Sequence, residues 1–264
     1  MRKLTTLVVV LASLATAQQA SAQQAQSRLY DITKSGTLKV CIWPNYYSVS
    51  FRNPTSGELE GIDIDLSKEL AKDMGVKLEY VETSFGTFIA DLQANKCDVA
   101  MFGLGATMKR AQAVAFTQPY LISGMYAVVH KGGPVTTWAD IDKAGINVGV
   151  TMGTSYEPIL KSYLKNATVV PVAPPASIQA ELMAKRIDVM MTDYPSSTKM
   201  NVQFDWTVTV TPPTKMAVTP YSYVVAQGDQ IWLNYMNLFV QNIKLDGRLA
   251  AAAEKNKLGP IMAP

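Results

Sequence analysis

The segment GIDIDLSKELAKDMGVKLEYV, residues 61–81, decides the fold class of this chain. Leucine and methionine recur four residues apart along 63–74, which predicts an amphipathic helix that ends at Gly75. The run 76–81 follows at once and predicts a strand. A helix that leads straight into a strand is typical of α/β folds, in which the two elements alternate.

The flanking sequence continues this alternation in both directions. A strand is predicted over 37–43, a helix over 85–95 and a further strand over 97–102. Strands joined through single helices form right-handed crossovers, so they should lie in a mostly parallel sheet. The same rhythm recurs over 146–191, without an obvious sequence repeat, and predicts a second sheet in which Pro171 marks a short or edge strand.

Two features divide these units into lobes. The glycine-rich stretch 131–134 is of the kind that separates domains, and the strand and helix after Ala217 suit the first lobe better than the second. A chain that returns in this way crosses twice, so the crossings would form a hinge with the default ligand site between the lobes. The predicted boundaries are a spacer at 23–36, lobe one at 37–129 and 220–264, and lobe two at 130–219.

The N-terminus has the three parts of a signal peptide. Arg2 and Lys3 are basic, the stretch 4–17 is largely apolar without a charge, and 20–22 read ASA, a cleavage motif. We expect residues 1–22 to be removed on export to the periplasm. An uncleaved anchor is the alternative, although the apolar stretch is shorter than the roughly 20 residues of a membrane span.

The charge balance disfavours two classes of partner. The chain has 24 Lys and Arg against 21 Asp and Glu, a formal net charge of +3, and loss of Arg2 and Lys3 lowers it to +1. Such a balance favours neither nucleic acid nor an anionic membrane surface as a partner. His130 is the one histidine, so a multi-histidine metal site is not supported, and we expect no metal or other cofactor.

Two cysteines are an even number in a chain predicted to enter an oxidising compartment. Cys41 lies in the strand 37–43, and Cys97 begins the strand 97–102. If these strands are parallel neighbours, a disulfide forms provided that the Cα atoms lie within about 7 Å of each other. We predict this bridge; two buried free thiols are the alternative.

Four segments carry a family resemblance: GELEGIDIDL at 57–66, TMKRAQAVAFTQPY at 107–120, DVMMTD at 188–193 and LDGRL at 245–249. They resemble, in the right order, motifs of the amino-acid-type periplasmic solute-binding proteins, family 3. The resemblance implies a type II two-lobed α/β fold, each lobe a mostly parallel sheet flanked by helices, joined by two hinge strands. It also implies a monomer that is not an enzyme and captures an amino acid or a similar small zwitterion or carboxylate for an ABC-type membrane permease.

In this resemblance, two residues bind the head group of the ligand. Arg110 presents a two-pronged donor to a ligand carboxylate, which a lysine would do less well. Asp193 follows the apolar strand 187–191, and at the carboxyl end of a strand it would pair with a ligand ammonium. The plain alternatives are a surface arginine and a helix N-cap, and for Asp193 both roles are compatible.

Five other residues complete the predicted pocket. Gly103 and Gly105 let backbone groups approach a ligand closely, and Thr154 lies at a helix start whose N–H groups suit a carboxylate. Tyr46 and Phe85 match positions that often sandwich the ligand in the family. Ordinary caps and core packing are the alternatives for these residues.

Trp43 departs from the family pattern, because many members carry a polar or acidic residue there that reads the ligand side chain. An indole argues against a lysine- or arginine-selective site and favours an apolar, aromatic or small ligand. Thr151 stands where many relatives have glutamine, so this wall of the pocket is also open to question.

An enzyme is one alternative function. Cyclohexadienyl dehydratases share the fold and resemble the loop MGTSYE at 152–157. Their general acid is a glutamate two residues after the Gly-Thr pair, where this chain has Tyr156. Glu157 is one place further on, which turns a helical side chain by about 100°, so this alternative needs a shift of the loop.

An interaction protein is the other alternative. The residues around Cys41, with Pro44-Asn45, and the segment 96–99 resemble accessory proteins of periplasmic quinoprotein dehydrogenases, which share the fold and contact an enzyme. In such a protein Arg110 and Asp193 need not face a common ligand. A cleft lined by both residues would argue against this function.

Overall fold

The computed structural model describes residues 26–264, and the predicted signal peptide lies outside the described residues. The strands are β1 (Thr37–Ile42), β2 (Asn45–Tyr46), β3 (Ser50–Arg52), β4 (Leu59–Glu60), β5 (Lys77–Glu82), β6 (Val99–Gly105), β7 (Val114–Phe116), β8 (Leu121–Ser123), β9 (Tyr126–His130), β10 (Asn147–Thr151), β11 (Thr168–Val172), β12 (Val189–Thr192), β13 (Thr207–Val210) and β14 (Thr219–Ala226). The α-helices are α1 (Arg28–Ser35), α2 (Ile62–Met74), α3 (Phe88–Gln93), α4 (Tyr156–Tyr163), α5 (Ile178–Met183), α6 (Tyr194–Gln203), α7 (Gln230–Leu245) and α8 (Arg248–Lys255).

The sheet of lobe one has the strand order β5-β1-β6-β14-β7, and β8 pairs with β14. β1 is parallel to β5 and β6, whereas β14 is antiparallel to β6. Every residue of β6 is buried, so this strand forms the centre of the core. α2 covers the sheet with the predicted apolar face, on which Leu66 and Leu70 are fully buried.

The sheet of lobe two has the order β11-β10-β12-β9-β13. β10 is parallel to β11 and β12, and β9 is antiparallel to β12 and β13. Pro171 lies in the edge strand β11, as predicted, because an edge tolerates a residue that has no N–H to donate. Each lobe thus extends its predicted parallel strands with antiparallel ones.

The predicted boundary between the lobes lies too late in the chain. β9, residues 126–130, pairs with β12 and β13 in the second sheet, so the first crossing precedes Tyr126 rather than following residue 129. The return crossing lies between β13 and β14. The stretch 131–134 is a turn inside lobe two, because the same glycine-rich composition suits tight turns and domain linkers alike.

Part of the predicted spacer is a helix. α1 begins after Ser27, whose hydroxyl oxygen accepts from the Leu29 N–H, and ends at Gly36. Ile32 is buried in the core of lobe one, and the Ser27 hydroxyl donates to Asp229 at the start of α7. A contact between residues 202 positions apart holds this helix in place, so the local composition did not predict it.

The predicted disulfide is present. Cys41 in β1 and Cys97 just before β6 are bonded, with their Cα atoms 5.6 Å apart. The parallel pairing of β1 with β6 brings the two residues together, which confirms the prediction.

A small third sheet, β2-β3-β4, leads into α2. Gly61 joins β4 to α2 with a φ of 126°, and a Cβ atom there would lie 2.3 Å from the Val49 carbonyl oxygen. The chain therefore requires glycine at this point of the GELEGIDIDL segment, on both conformational and steric grounds.

Candidate functional site

A cavity of about 510 Å³, counting its opening to solvent, lies between the lobes. The structure brings all eight predicted binding residues to its walls, and their contact with a ligand stays a prediction. From lobe one come Trp43, Tyr46, Phe85, Gly103, Gly105 and Arg110, and from lobe two come Thr154 and Asp193. The lining residues that we did not single out as binding residues are Thr151, Ser155, Tyr156, Ile178, Gln179, Met191, Thr192, Ser196 and Tyr221.

Arg110 begins a turn of 3₁₀ helix after β6 and is 9% exposed. Its Nη1 donates to the Gly105 carbonyl at 2.9 Å, and its Nη2 donates to the Gly153 carbonyl of lobe two, also at 2.9 Å. Burial lowers the pKa of the guanidinium to about 10, so it stays charged at neutral pH. The predicted alternative, an arginine on the surface, is therefore wrong.

Asp193 is the N-cap of α6, and its Oδ1 accepts from the Ser196 N–H at 3.1 Å. Its Oδ2 accepts from the hydroxyl groups of Tyr46 and Tyr221, the latter at 2.6 Å. Burial raises the pKa of this carboxyl group, and the hydroxyl bonds offset only part of the rise. Capping a helix and facing the cavity are combined in one side chain.

Three tyrosine hydroxyl groups surround this carboxylate. The hydroxyl of Tyr221 lies 3.4 Å from that of Tyr46 and 3.5 Å from that of Tyr156. The Tyr156 hydroxyl donates to the Gly124 carbonyl, at the first crossing between the lobes. Burial raises the pKa of all three, so they remain phenols and act as donors.

An aromatic wall closes the side of lobe one. The ring of Phe85 lies 5.1 Å from that of Trp43 and 5.8 Å from that of Tyr46, in edge-to-face arrangements. The Trp43 Nε1 is buried and has no hydrogen-bond partner among the described residues. This wall presents the faces of aromatic rings, and the predicted exclusion of a cationic ligand side chain stays a prediction.

Gly103 packs against the aromatic wall from behind. It has a φ of 60°, and a Cβ atom there would lie 2.7 Å from Cε1 of Tyr46. Its N–H donates to Oδ2 of Asp63, which also accepts from the Tyr120 hydroxyl at 2.6 Å. Burial raises the pKa of Asp63 to about 7. This carboxyl group supports the cavity without lining it.

The helix start at Gly153-Thr154 differs from expectation. The Gly153 N–H donates to the Glu157 carboxylate at 2.9 Å, and the Thr154 N–H donates to the Thr151 carbonyl. Two of the N–H groups proposed for a ligand carboxylate are therefore already bonded, one to an acidic side chain in the first turn of α4 and the other to a backbone carbonyl. Thr154 lines the cavity, but its own N–H is not free.

Glu157 also bears on the enzyme alternative. Its carboxylate bonds with the Gly153 N–H and with Nζ of Lys161 at 2.6 Å, and these partners lower its pKa. The lysine makes the largest contribution to this shift. Tyr156 faces the cavity and Glu157 does not, so the loop keeps the register in which the general acid position holds a phenol.

Two further features concern the described residues as a whole. Residues 26–264 contain no cluster of three or more histidine, cysteine or acidic residues arranged to hold a metal ion. None of their helices has the length and apolar character needed to cross a bilayer.

Comparisons with known proteins place these observations in a family. The family described as bacterial extracellular solute-binding proteins, family 3, matches residues 38–258. The chain is 31% identical over 189 residues to cyclohexadienyl dehydratase from Pseudomonas aeruginosa, covering 71% of this chain and 70% of that one. It is 27% identical over 227 residues to the L-cystine-binding protein TcyJ of Escherichia coli strain K12, covering 86% and 85%.

Solved structures show the same architecture. An ancestral amino acid-binding protein, described as a precursor of cyclohexadienyl dehydratase, superposes with a TM-score of 0.79 at 32% identity, covering 87% of this chain and 99% of that one. An amino acid ABC transporter substrate-binding protein from Streptococcus pneumoniae, bound to L-arginine, gives 0.80 at 25% identity, covering 89% and 99%. These matches confirm the two-lobed α/β fold. The chain belongs to family 3 of the bacterial extracellular solute-binding proteins.

Proposed function

We propose that the protein captures an amino acid or a similar small zwitterion or carboxylate between its lobes, in the periplasm, and presents it to an ABC-type membrane permease. One observation carries the proposal: Arg110 of lobe one and Asp193 of lobe two line the same cavity. A ligand that contacts both would stabilise the closed arrangement, because only that arrangement makes both sets of contacts.

The relatives support the individual parts of this proposal. Membership of an extracellular solute-binding family supports export and a small-molecule ligand. An L-cystine-binding relative and an arginine-bound ABC transporter component support a carboxylate-bearing ligand and a permease partner. The shared cavity also speaks against the accessory alternative, in which Arg110 and Asp193 need no common ligand.

A ligand screen tests the proposal. The mature protein is unfolded, dialysed and refolded to remove any ligand, and its melting temperature is then measured with amino acids and related small carboxylates. A ligand that binds only the folded state raises the melting temperature, and the stabilisation grows with the logarithm of its concentration relative to Kd. No shift with any compound would contradict the proposal.

Arg110→Ala provides the mutational prediction. Removing the guanidinium should weaken binding of any ligand found in the screen by about 100-fold, since a buried pair of charged hydrogen bonds is lost. Calorimetric titration measures the change in Kd. Lys109→Ala is the control, because this neighbouring cation is exposed and does not line the cavity. Equal Kd values for the two variants would show that Arg110 does not contribute to ligand binding.

The dehydratase relative warrants a separate assay. Tyr156 stands at the position of the general acid, and Glu157 is held by Lys161 and the Gly153 N–H, so we expect no turnover of prephenate or arogenate. Formation of phenylpyruvate or phenylalanine at a rate above that of buffer would establish the enzyme instead.

A further inference from the structure

Gln179 lines the cavity from lobe two, in the first turn of α5. Ser177 caps this helix, and its hydroxyl oxygen accepts from the Ala180 N–H at 3.1 Å. The neighbouring Ile178 is buried close to Gly149 of β10. The cap and this packing fix the start of α5, so the fold sets the position of Gln179 before a ligand binds.

The side-chain amide of Gln179 has no hydrogen-bond partner among residues 26–264, although the residue is only 8% exposed. The two charged residues of the cavity differ in this respect. Arg110 donates to two carbonyls, and Asp193 accepts from a backbone N–H and two tyrosine hydroxyl groups. An amide that has left water without gaining a partner destabilises the folded state. A ligand that bonds with Gln179 would remove this cost.

The charges around the cavity limit what that part of the ligand can be. Arg110 and Asp193 are the two charged side chains among the described residues that line it. In the proposed function they pair with the carboxylate and the ammonium of the ligand. A further charge on the ligand side chain would then be buried without a counter-ion, which costs more than burying a neutral group. The end of the side chain that meets Gln179 should therefore be neutral.

A carboxamide is the neutral group that matches Gln179 best. The amide of glutamine has two N–H donors and a carbonyl acceptor. A second amide has the same set, so the two groups can form a pair of hydrogen bonds, each donating to the carbonyl of the other. An apolar side chain would form neither bond, and a carboxylate could only accept.

We infer that the ligand is an amino acid whose side chain ends in a neutral carboxamide, of the asparagine or glutamine class, and that Gln179 recognises this group. The inference rests on the proposed function and names the class of ligand for the same cavity. It keeps the prediction drawn from Trp43 that a cationic side chain is excluded. It differs from that prediction in giving the side chain a polar end.

Two sets of amino acids with side chains of similar size test the inference directly. L-glutamine is compared with L-methionine and L-glutamate, and L-asparagine with L-leucine and L-aspartate, by calorimetric titration of the refolded mature protein. In the set whose length fits the cavity, the amide should bind more tightly than both of its counterparts, by at least about tenfold in Kd. The apolar member leaves Gln179 unpaired, and the acidic member brings an uncompensated charge.

Replacing Gln179 gives a second measurement. Gln179→Met removes the amide and keeps an unbranched side chain of similar length, so the preference for the amide over the apolar amino acid should fall by about tenfold. Gln179→Leu removes the amide with a different shape and should give the same result. Gln203→Met is the control, because it makes the same substitution at an exposed position of lobe two that does not line the cavity. Far-ultraviolet circular dichroism confirms that each variant is folded.

The outcomes separate the inference from the proposed function. Binding of the apolar or the charged amino acid at least as tightly as the amide, in both sets, would overturn the inference and leave the proposed function standing. An unchanged preference in a folded Gln179 variant would also overturn it. If neither variant folds, the ratios measured on the natural protein decide. Absence of binding by any amino acid or small carboxylate would remove the proposed function and the inference together.

Discussion

Two segments, one in each lobe, form the same helix–turn–strand unit. They differ in the contact that links the unit to the neighbouring strand, which is a disulfide in lobe one and side-chain packing in lobe two. Residues 88–101 read FIADLQANKCDVAM, and residues 178–191 read IQAELMAKRIDVMM. In each, the helix ends before a residue with a φ of 56°, Asn95 in one lobe and Lys185 in the other. The turn then leads directly into the central parallel strand of its sheet.

The hydrogen bonds of the two units also match. The Asp98 N–H donates to the Lys39 carbonyl at 2.8 Å, and the Asp98 carboxylate accepts from the Lys39 N–H at 2.7 Å. Asp188 makes the same pair of bonds with Asn147, at 2.9 and 2.8 Å. The two lobes therefore use one local solution twice, and the two segments share Ala, Leu, Ala, Asp, Val and Met at matching positions, a short repeat that we did not predict.

The difference lies one residue before these aspartates. Cys97 in lobe one corresponds to Ile187 in lobe two, and its partner Cys41 corresponds to Gly149. In lobe one a disulfide joins the two strands. In lobe two a Cβ atom at Gly149 would lie 2.4 Å from Cδ1 of Ile187, so the large side chain fills the space above the glycine. The corresponding positions are joined by a covalent bond in one lobe and by side-chain packing in the other.

The largest expected effect on stability comes from removing the disulfide of lobe one. Replacing Cys41 and Cys97 together by alanine should lower the free energy of unfolding by about 4 kcal/mol, because the bridge spans 56 residues of chain. Denaturant unfolding measures the change, and a reducing agent should destabilise the natural protein but not the variant. A variant as stable as the natural protein would show that the bridge does not constrain the unfolded chain.

A smaller effect on stability is expected from disturbing the packing of Ile187 against Gly149 in lobe two. Gly149→Ala should destabilise the protein by about 2 kcal/mol, since the added methyl group overlaps Ile187 in a close-packed core. Ile187→Val removes the overlapping Cδ1, so the double variant should be more stable than the sum of the two single changes indicates. Additive effects in this double-mutant cycle would mean that the two residues do not fill a common space.

The smallest expected effect on stability comes from introducing into lobe two a disulfide at the positions that correspond to Cys41 and Cys97. Replacing Gly149 and Ile187 together by cysteine should produce a disulfide during oxidative refolding. We expect it to stabilise the oxidised variant over its reduced form by about 1 kcal/mol, less than the natural bridge, because strain in an engineered disulfide offsets most of the gain from closing the loop. Thiol titration and unfolding with and without reductant measure both quantities. Free thiols after oxidation would show that the two lobes differ in strand spacing at this point.

The sequence predicted most of the elements that carry the site, because they depend on local patterns. Arg110 and Asp193 follow buried strands, and the carboxyl ends of such strands meet at the crevice. Tyr221 did not stand out, since nothing near it in the sequence distinguishes it from a core residue of β14. Its pairing opposite Gly105 brings its hydroxyl group to Asp193, and that pairing joins distant parts of the chain.

The lobe boundaries and α1 were mispredicted for a related reason. Glycine-rich composition marks a turn without saying whether the chain changes lobe there, as at 131–134. The strand Tyr126–His130 is apolar enough for either sheet, and only its partners β12 and β13 decide where it lies. In the same way, α1 depends on the contact of Ser27 with Asp229.

The sequence by itself determined the alternation of helices and strands, the pair of cysteines and the two charged residues of the cavity, since periodicity and residue type act over a few positions. The tertiary structure decided which groups those two charges contact. Tyr46 lies 147 positions from Asp193, and Gly153 lies 43 positions from Arg110. Hydrogen bonds between such distant residues form only when the lobes meet, so local sequence patterns could not predict them.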